Sequence, residues 1–448
     1  MSKRWQRRLT NSAAFFFELI FSNNITKNLL QALPLWIASI LVGLVAVGYT
    51  KLFGLVEDFL HKITVWQPWA IFIMAPLCFL LAWMIVQRFA PNARGSGIPQ
   101  VMASLELTSP NHEKSVSKLL GLRIAFTKIV SSLLMLLGGG AIGREGPTIQ
   151  IAGSLFYVIH RWVPKSWPKL SNQSFILTGA AGGLAAAFNT PLGGIVFAIE
   201  ELAKIHIRYF RTALFSAVII AGLTAQAFLG PYLYLGYADV KGLNFSIFLG
   251  VVCTAIIAAI LGALMCKAII RVMHWKAKFS KWKIVIFIII AGLSVATLSY
   301  FFNSHILGSG KDLMNDLLFT QNKATTWDTV LMRMAGPVIA FNTGAAGGVF
   351  APSLAAGASV GGFISGLFDV NGAQANILIL CGMVGFLTGV TRTPFTSAIL
   401  VLEMTDRHSV IFHLMLAAMV ANVAALAIEK HSFYELLKKG YVEDATSK

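Results

Sequence analysis

Long continuous apolar stretches dominate the chain, in place of strict alternation or a narrow amphipathic stripe. The more apolar or weakly polar runs cover 32–60, 67–88, 115–141, 174–199, 212–235, 243–270, 284–301 and 410–428. Several reach the ~20 residues a helix needs to span hydrocarbon. Backbone polar groups in lipid must be satisfied within the protein, which restricts spanning segments to helices and closed barrels. A barrel would show short alternating segments, whereas these runs are continuous in Leu, Ile, Val, Ala and Phe. The pattern predicts an all-α polytopic membrane protein. Two further runs, 142–160 and 348–369, are interrupted by Gly and Pro and read as broken or tilted segments.

Composition agrees. Of 448 residues, 56% are hydrophobic and 12% charged, against roughly a quarter charged in a soluble protein. The formal charge of +17 sits mostly in clusters beside the apolar runs, where attraction to anionic membrane lipid accounts for it without nucleic acid. Lys3, Arg4, Arg7 and Arg8 precede a first run that starts too late for a cleaved secretory signal. Lys430, Lys438, Lys439 and Lys448 lie near the other end. This bias places both termini in the cytoplasm, with the basic loops 161–169 and 267–283, and implies an even number of full crossings. Cys78, Cys253, Cys266 and Cys381 lack metal-ligand spacing and read as packing residues. The nine histidines form no metal-binding motif. Neither a metal nor a cofactor is expected.

The chain repeats itself. Asn189-Thr-Pro-Leu-Gly-Gly-Ile-Val-Phe-Ala-Ile-Glu200-Glu201 is echoed by Arg392-Thr-Pro-Phe-Thr-Ser-Ala-Ile-Leu-Val-Leu-Glu403. Upstream, Gly146-Pro147 is echoed by Ala351-Pro352, and Gly95-Ser96-Gly97 by Gly308-Ser309-Gly310. The implied organisation is a cytoplasmic segment 1–30, a first membrane repeat 31–211, a second 212–429, and a short segment 430–448 carrying Tyr434. Repeated halves are a common plan of secondary transporters, which hold substrate where discontinuous helices meet. An odd number of crossings per half would invert the second half relative to the first.

Three Gly/Pro-rich segments interrupt the apolar pattern: Gly95-Ser96-Gly97-Ile98-Pro99, Gly143-Arg144-Glu145-Gly146-Pro147 and Gly347-Gly348-Val349-Phe350-Ala351-Pro352. Each puts proline near a helix start, where its missing N–H costs nothing. The exposed N–H groups and positive dipole end of such a start attract anions; the alternative role is a kink or a close helix contact. Distributed dipoles and a hydroxyl such as Ser96 replace part of an ion's hydration shell without the deep well of a bare lysine, as conduction requires. Lys128 either adds long-range positive potential or pairs with a buried carboxylate. Glu145 stands inside an anion-attracting loop, so its carboxylate would compete with the anion until protonated; its other role is that of an ordinary helix-start carboxylate. Glu200 and Glu201 close the following run near Lys204, Arg208 and Arg211. Carboxylates at such positions commonly mark ion or proton routes, one relaying protons while its neighbour pairs with a basic residue.

In this order, GSGIP at 95–99, GREGP at 143–147, GGVFAP at 347–352, the TP segments ending in Glu201 and Glu403, and the late Tyr434 resemble the CLC family of chloride channels and chloride/proton antiporters, over about residues 30–440. The resemblance implies a homodimer with one anion pathway per subunit, each built of two inverted halves of tilted and re-entrant helices. It implies that Ser96 and Tyr434 hold the central anion with their hydroxyls and that backbone N–H groups near Val349 and Phe350 complete the site. Glu145 matches the external gating glutamate, Glu201 the internal proton-transfer glutamate of many antiporters, and Lys128 the lysine behind the pathway. Ser96 is typical of chloride-selective members; Val349 replaces the isoleucine of many bacterial ones. With fourteen residues after Tyr434, no cytoplasmic nucleotide-binding domain is expected. The implied function is electrogenic chloride/proton antiport in a bacterial inner membrane, with no enzymatic activity and no obligatory protein partner beyond the second copy. A passive voltage- or pH-gated chloride channel of the same fold and, more remotely, a sodium-coupled solute transporter are the alternatives. An intramembrane hydrolase would need a base beside Ser96, and the sequence offers no histidine for it.

Overall fold

The computed structural model describes residues 23–108, 113–164, 167, 170–202, 211–230, 234–240, 247–321, 323–406 and 408–446. The N-terminal basic cluster (Lys3, Arg4, Arg7, Arg8), Lys165, Lys169, Lys204, Arg208 and Lys448 lie outside the described residues.

The first half contains α1 (Asn23–Trp66), α2 (Ile71–Phe89), α3 (Ile98–Glu106), α4 (Glu113–Leu119), α5 (Leu122–Leu137), α6 (Glu145–Trp162), α7 (Asn172–Phe188), α8 (Pro191–Phe197) with a π-turn over Ala198–Leu202, and α9 (Arg211–Leu229). The second contains α10 (Ile247–Lys276), α11 (Lys281–Phe301), α12 (Lys311–Phe319), α13 (Trp327–Asn342), α14 (Phe350–Leu367), α15 (Gly372–Thr391), α16 (Pro394–Thr405) and α17 (Ile411–Ile428), before a final α18 (Phe433–Thr446). Among the described residues, β-pairing is limited to two isolated bridges. Among the described residues, nine helices are long and apolar enough to cross a membrane. Ile37, Leu55, Ile73, Leu249, Ile290 and Val423 turn outward, an exposure suited to lipid rather than water.

The halves match helix for helix. α1, α2, α3, α5, α6, α7, α8 and α9 correspond in order to α10, α11, α12, α13, α14, α15, α16 and α17. The apolar run 174–199 is two helices, broken where Asn189 takes a left-handed conformation (φ 57°) ahead of Pro191; its counterpart Arg392 does the same (φ 60°) ahead of Pro394. The proline has no N–H to continue the preceding helix. By contrast, the runs expected to be broken, 142–160 and 348–369, are the continuous helices α6 and α14. Their prolines, Pro147 and Pro352, lie in the first turn, and the interior glycines leave each helix continuous, so the interruption is a helix start in the protein interior.

How the halves face each other follows from two carboxylates. Glu200, at the end of the α8 segment, accepts the N–H groups of Phe395 (3.1 Å) and Thr396 (2.7 Å) and the Thr396 hydroxyl (2.7 Å) at the start of α16. Reciprocally, Glu403 near the end of α16 accepts the N–H groups of Leu192 (3.1 Å) and Gly193 (2.6 Å) at the start of α8. Each helix end therefore meets the other's beginning, so these corresponding helices are antiparallel and the two halves are inverted. Each carboxylate also opposes the positive dipole end it caps. Glu200 is a helix cap, a role set by a partner 195 residues away; the expected pairing of one of the two glutamates with Lys204 or Arg208 lies outside the described residues.

Close approach holds the second half together. α15 is buried over Ala375–Thr391, and a Cβ on Gly357 of α14 would run into the Gly382 backbone of α15. Small residues let membrane helices pack this tightly.

Replacing Glu200 or Glu403 by alanine strips a charged acceptor from two N–H groups. Each change should lower stability by about 1–2 kcal/mol, read as a lower thermal midpoint of the detergent-solubilised protein. An unchanged midpoint in both variants would contradict the reciprocal capping.

Candidate anion pathway

Three helices begin at one place because their leading loops are tied to each other by backbone. The Gly95 N–H donates to the Ala345 carbonyl (2.8 Å), and the Gly347 N–H donates back to the Gly95 carbonyl (3.1 Å). Gly143 and Gly348 exchange both hydrogen bonds, at 2.7 and 2.9 Å. Glycine is required by contact as well as conformation. A Cβ on Gly97, which has φ 111°, would lie 2.7 Å from the Gly146 carbonyl, and one on Gly146 would strike the Ser96 hydroxyl. The three motifs predicted from sequence are thus brought together.

Into this junction point the starts of α3 (Ile98, Pro99), α6 (Glu145, Gly146, Pro147) and α14 (Phe350, Ala351, Pro352). A helix leaves its first N–H groups without intrahelical acceptors, so positive partial charge gathers here. Ser96 and Tyr434 are buried, and neither hydroxyl has a hydrogen-bond partner in the protein, although the two lie within interaction range of each other. Buried hydroxyls are normally satisfied; this pair faces an environment able to supply a ligand. Val349 and Phe350 are buried at the start of α14, and Phe350 packs on Phe188 with centroids 5.7 Å apart.

Tyr434 reaches the junction because α18 folds back beneath it. The Tyr441 hydroxyl donates to the Arg94 carbonyl (3.1 Å), Arg94 pairs with Asp444 (2.6 Å), and Lys438 with Glu106 (2.7 Å). The Gln100 amide donates to the Arg94 carbonyl (2.6 Å), and Gln150 to that of Leu119 (2.9 Å). Ser131 of α5 accepts the Ala346 N–H at 3.0 Å. Most of these supporting contacts carry no sequence signal, since they join residues far apart in the chain.

Lys128 is fully buried and donates to the carbonyls of Ala93 and Gly95, both at 2.8 Å. The ammonium binds the back of the Ser96 loop through these carbonyls, and among the described residues it is paired with no carboxylate.

Glu145, the first residue of α6, is buried. Its carboxylate lies against Gly143, where any Cβ would collide with it, and beside the Ala351 N–H of α14. The side chain thus occupies the anion-attracting junction itself. Arg144 turns away, its guanidinium 5.8 Å from the centre of the Tyr234 ring, over which the Lys311 ammonium also sits at 5.1 Å. Glu201 is buried in the π-turn Ala198–Leu202. Glu200 lies in the same turn and points to α16. Its counterpart segment in α16 continues as regular α-helix. Extra-residue turns of this kind concentrate at functional sites. Glu201 and Glu145 both lie within electrostatic range of Tyr434. Among the described residues no three His, Cys, Asp or Glu side chains are grouped to hold a metal.

A profile of the voltage gated chloride channel family matches residues 78–426. The chain belongs to the CLC family. Relatives named H(+)/Cl(-) exchange transporter ClcA, from Salmonella paratyphi A and Salmonella typhimurium, are 29% identical over 418 residues, covering 86% of this chain and 83% of theirs. Among solved structures, a slow cyanobacterial Cl-/H+ antiporter superposes with TM-score 0.79 at 23% identity, covering 92% of this chain and 97% of that one. A CLC-type fluoride/proton antiporter gives 0.73 at 21% identity, covering 90% and 97%. The fold is therefore that of CLC transporters, which are not enzymes.

Gly146→Ala should push Ser96 aside and weaken chloride binding by about tenfold or more, each tenfold being about 1.4 kcal/mol, with helicity unchanged by circular dichroism. Calorimetric chloride affinity equal to wild type would remove Ser96 from the site.

Proposed function

We propose that this CLC protein exchanges chloride for protons across a bacterial inner membrane. The observation that carries this reading is the Glu145 carboxylate lying among converging helix starts, beside buried Ser96 and Tyr434 hydroxyls that have no partner in the protein. A carboxylate and a chloride ion are alternative occupants of such a place. Unprotonated Glu145 blocks the path; protonated, it loses its charge and leaves, and the anion takes over the backbone donors. Ser96, Tyr434 and the N–H groups near Val349 and Phe350 hold the central ion, while Lys128 supports it from behind without contact. The Gly95, Gly97, Ile98 and Pro99 backbone, with that of Gly143, Arg144, Gly146, Pro147, Gly347 and Gly348, shapes the filter.

Glu201 relays the proton between the cytoplasm and Glu145. Its burial in the π-turn and the likeness of the chain to the Salmonella H(+)/Cl(-) exchange transporters support this role. Because the two ions carry opposite charge in opposite directions, each cycle moves net charge. The protein works as a homodimer with a pathway in each subunit and with both termini cytoplasmic. The helix correspondence supports placing the division between halves after α9, between Leu229 and Ile247, in place of 211/212: α9 corresponds to α17 and so completes the first half.

Chloride and proton fluxes measured together in liposomes under a chloride gradient test this reading. Wild-type protein should drive protons uphill. Glu201→Gln should abolish proton movement while chloride still moves; uphill proton transport in that variant would remove Glu201 from the relay. Glu145→Ala should pass chloride with little pH dependence and no coupled protons. A pH response equal to wild type would remove Glu145 from the gate. Wild-type chloride flux without proton movement would mark a channel.

A further inference from the structure

The second half contains a copy of the Ser96 site, on the opposite face of the protein. Gly308-Ser309-Gly310 repeats Gly95-Ser96-Gly97 in sequence and in backbone. Gly308 has φ 63° where Gly95 has 64°, and Gly310 has φ 85° where Gly97 has 111°. Each loop opens a nine-residue helix, α3 or α12. Each is held from behind by a buried cation on the seventh residue of a sixteen-residue helix, Lys128 of α5 or Arg333 of α13. Arg333 donates to the carbonyls of Leu307 (3.1 Å) and Gly308 (3.2 Å), as Lys128 does to those of Ala93 and Gly95. The inversion shown by the Glu200 and Glu403 caps places the two loops on opposite faces.

One difference matters chemically. The Ser96 hydroxyl has no protein partner, whereas the Ser309 N–H (3.0 Å) and hydroxyl (2.8 Å) both donate to the Glu57 carboxylate of α1. The loop therefore already binds an anion, one attached to the chain. Glu57 is half-buried and borders a cavity of about 190 Å³, lined also by His61, His305, Asp312, Asp316 and Arg333. Arg333 is 3% exposed, and its Nε has no hydrogen-bond partner.

We propose that the Ser309 loop is a second anion site, taking a chloride-sized inorganic ion when the Glu57 carboxylate leaves it. At neutral pH the cavity wall carries the carboxylates of Glu57, Asp312 and Asp316 against the Arg333 guanidinium, with Lys311 and Arg144 further off on α12 and α6; an added anion is repelled. Protonation of a carboxylate removes its negative charge, and without that charge the Ser309 N–H and hydroxyl lose their resident acceptor. The site opens on the face opposite Tyr434, to anions from that side.

Bromide binding to the purified full-length protein in detergent, counted by calorimetry and located by anomalous scattering, tests the proposal. Glu145→Gln serves as the common background, so that Glu145 does not titrate. In that background, one additional bromide per chain should bind at Ser309 at about pH 3, below the ordinary carboxylate values of about 4, and not at neutral pH. Adding Glu57→Ala should make the additional ion bind at neutral pH as well, and adding Ser309→Ala should abolish it at both. The same bromide count with and without Glu57→Ala would overturn the proposal. If Glu57→Ala does not fold, an acid-induced bromide absent from Glu145→Gln, or present undiminished in Glu145→Gln/Ser309→Ala, overturns it equally. The count needs no transport, so failure of chloride/proton coupling leaves it untouched, and its failure leaves the coupling untouched.

Discussion

The N–H groups at a helix start have to find acceptors, and inside a membrane water is not there to supply them. This protein starts α3, α6 and α14 at one buried junction and sews their loops together by backbone hydrogen bonds at Gly95, Gly143, Gly347 and Gly348. The result is a concentration of donors. Dipoles of this kind weaken quickly with distance, which suits an ion that must also leave. Lys128 lies on the carbonyl side of the Gly95 loop.

The same requirement for acceptors shapes the rest of the molecule. At α8 and α16 it is met by Glu200 and Glu403, each capping the other half's helix, and this exchange fixes the halves as antiparallel. At α12 it is met by Glu57. At α6 it is met within the junction by Glu145. In every case a carboxylate stands where a free anion would be attracted. Under the proposed function the Glu145 cap is the one a mobile ion displaces, while Glu200 and Glu403, whose partners lie in a tight helix pair, remain structural.

The all-α membrane class was legible from continuous apolar runs, and the junction from Gly/Pro signals in three places, because burial and helix starts leave local marks in sequence. The Pro191/Pro394 and Glu200/Glu403 correspondences exposed the repeat, but not its consequence. Glu200 read as a salt-bridge partner since basic residues follow it in the chain, whereas its acceptor role depends on α16, distant in sequence. Runs 142–160 and 348–369 read as broken because Gly and Pro break helices on average; in the first turn those residues begin one instead. The likeness of Arg333 to Lys128 is hidden by the change of residue type and by a repeat offset that shifts from 213 at the serine loops to 205 at these cations.

Proton linkage of chloride binding tests the central claim most directly. If the Glu145 carboxylate and chloride are alternative occupants of one place, chloride binding to wild-type protein must take up protons. Calorimetry in two buffers of different ionisation enthalpy measures that uptake, with Glu145→Gln as the reference. The account predicts proton uptake with chloride in the wild type, largely lost in Glu145→Gln. Chloride binding without proton uptake in the wild type, or with equal uptake in the variant, would contradict it.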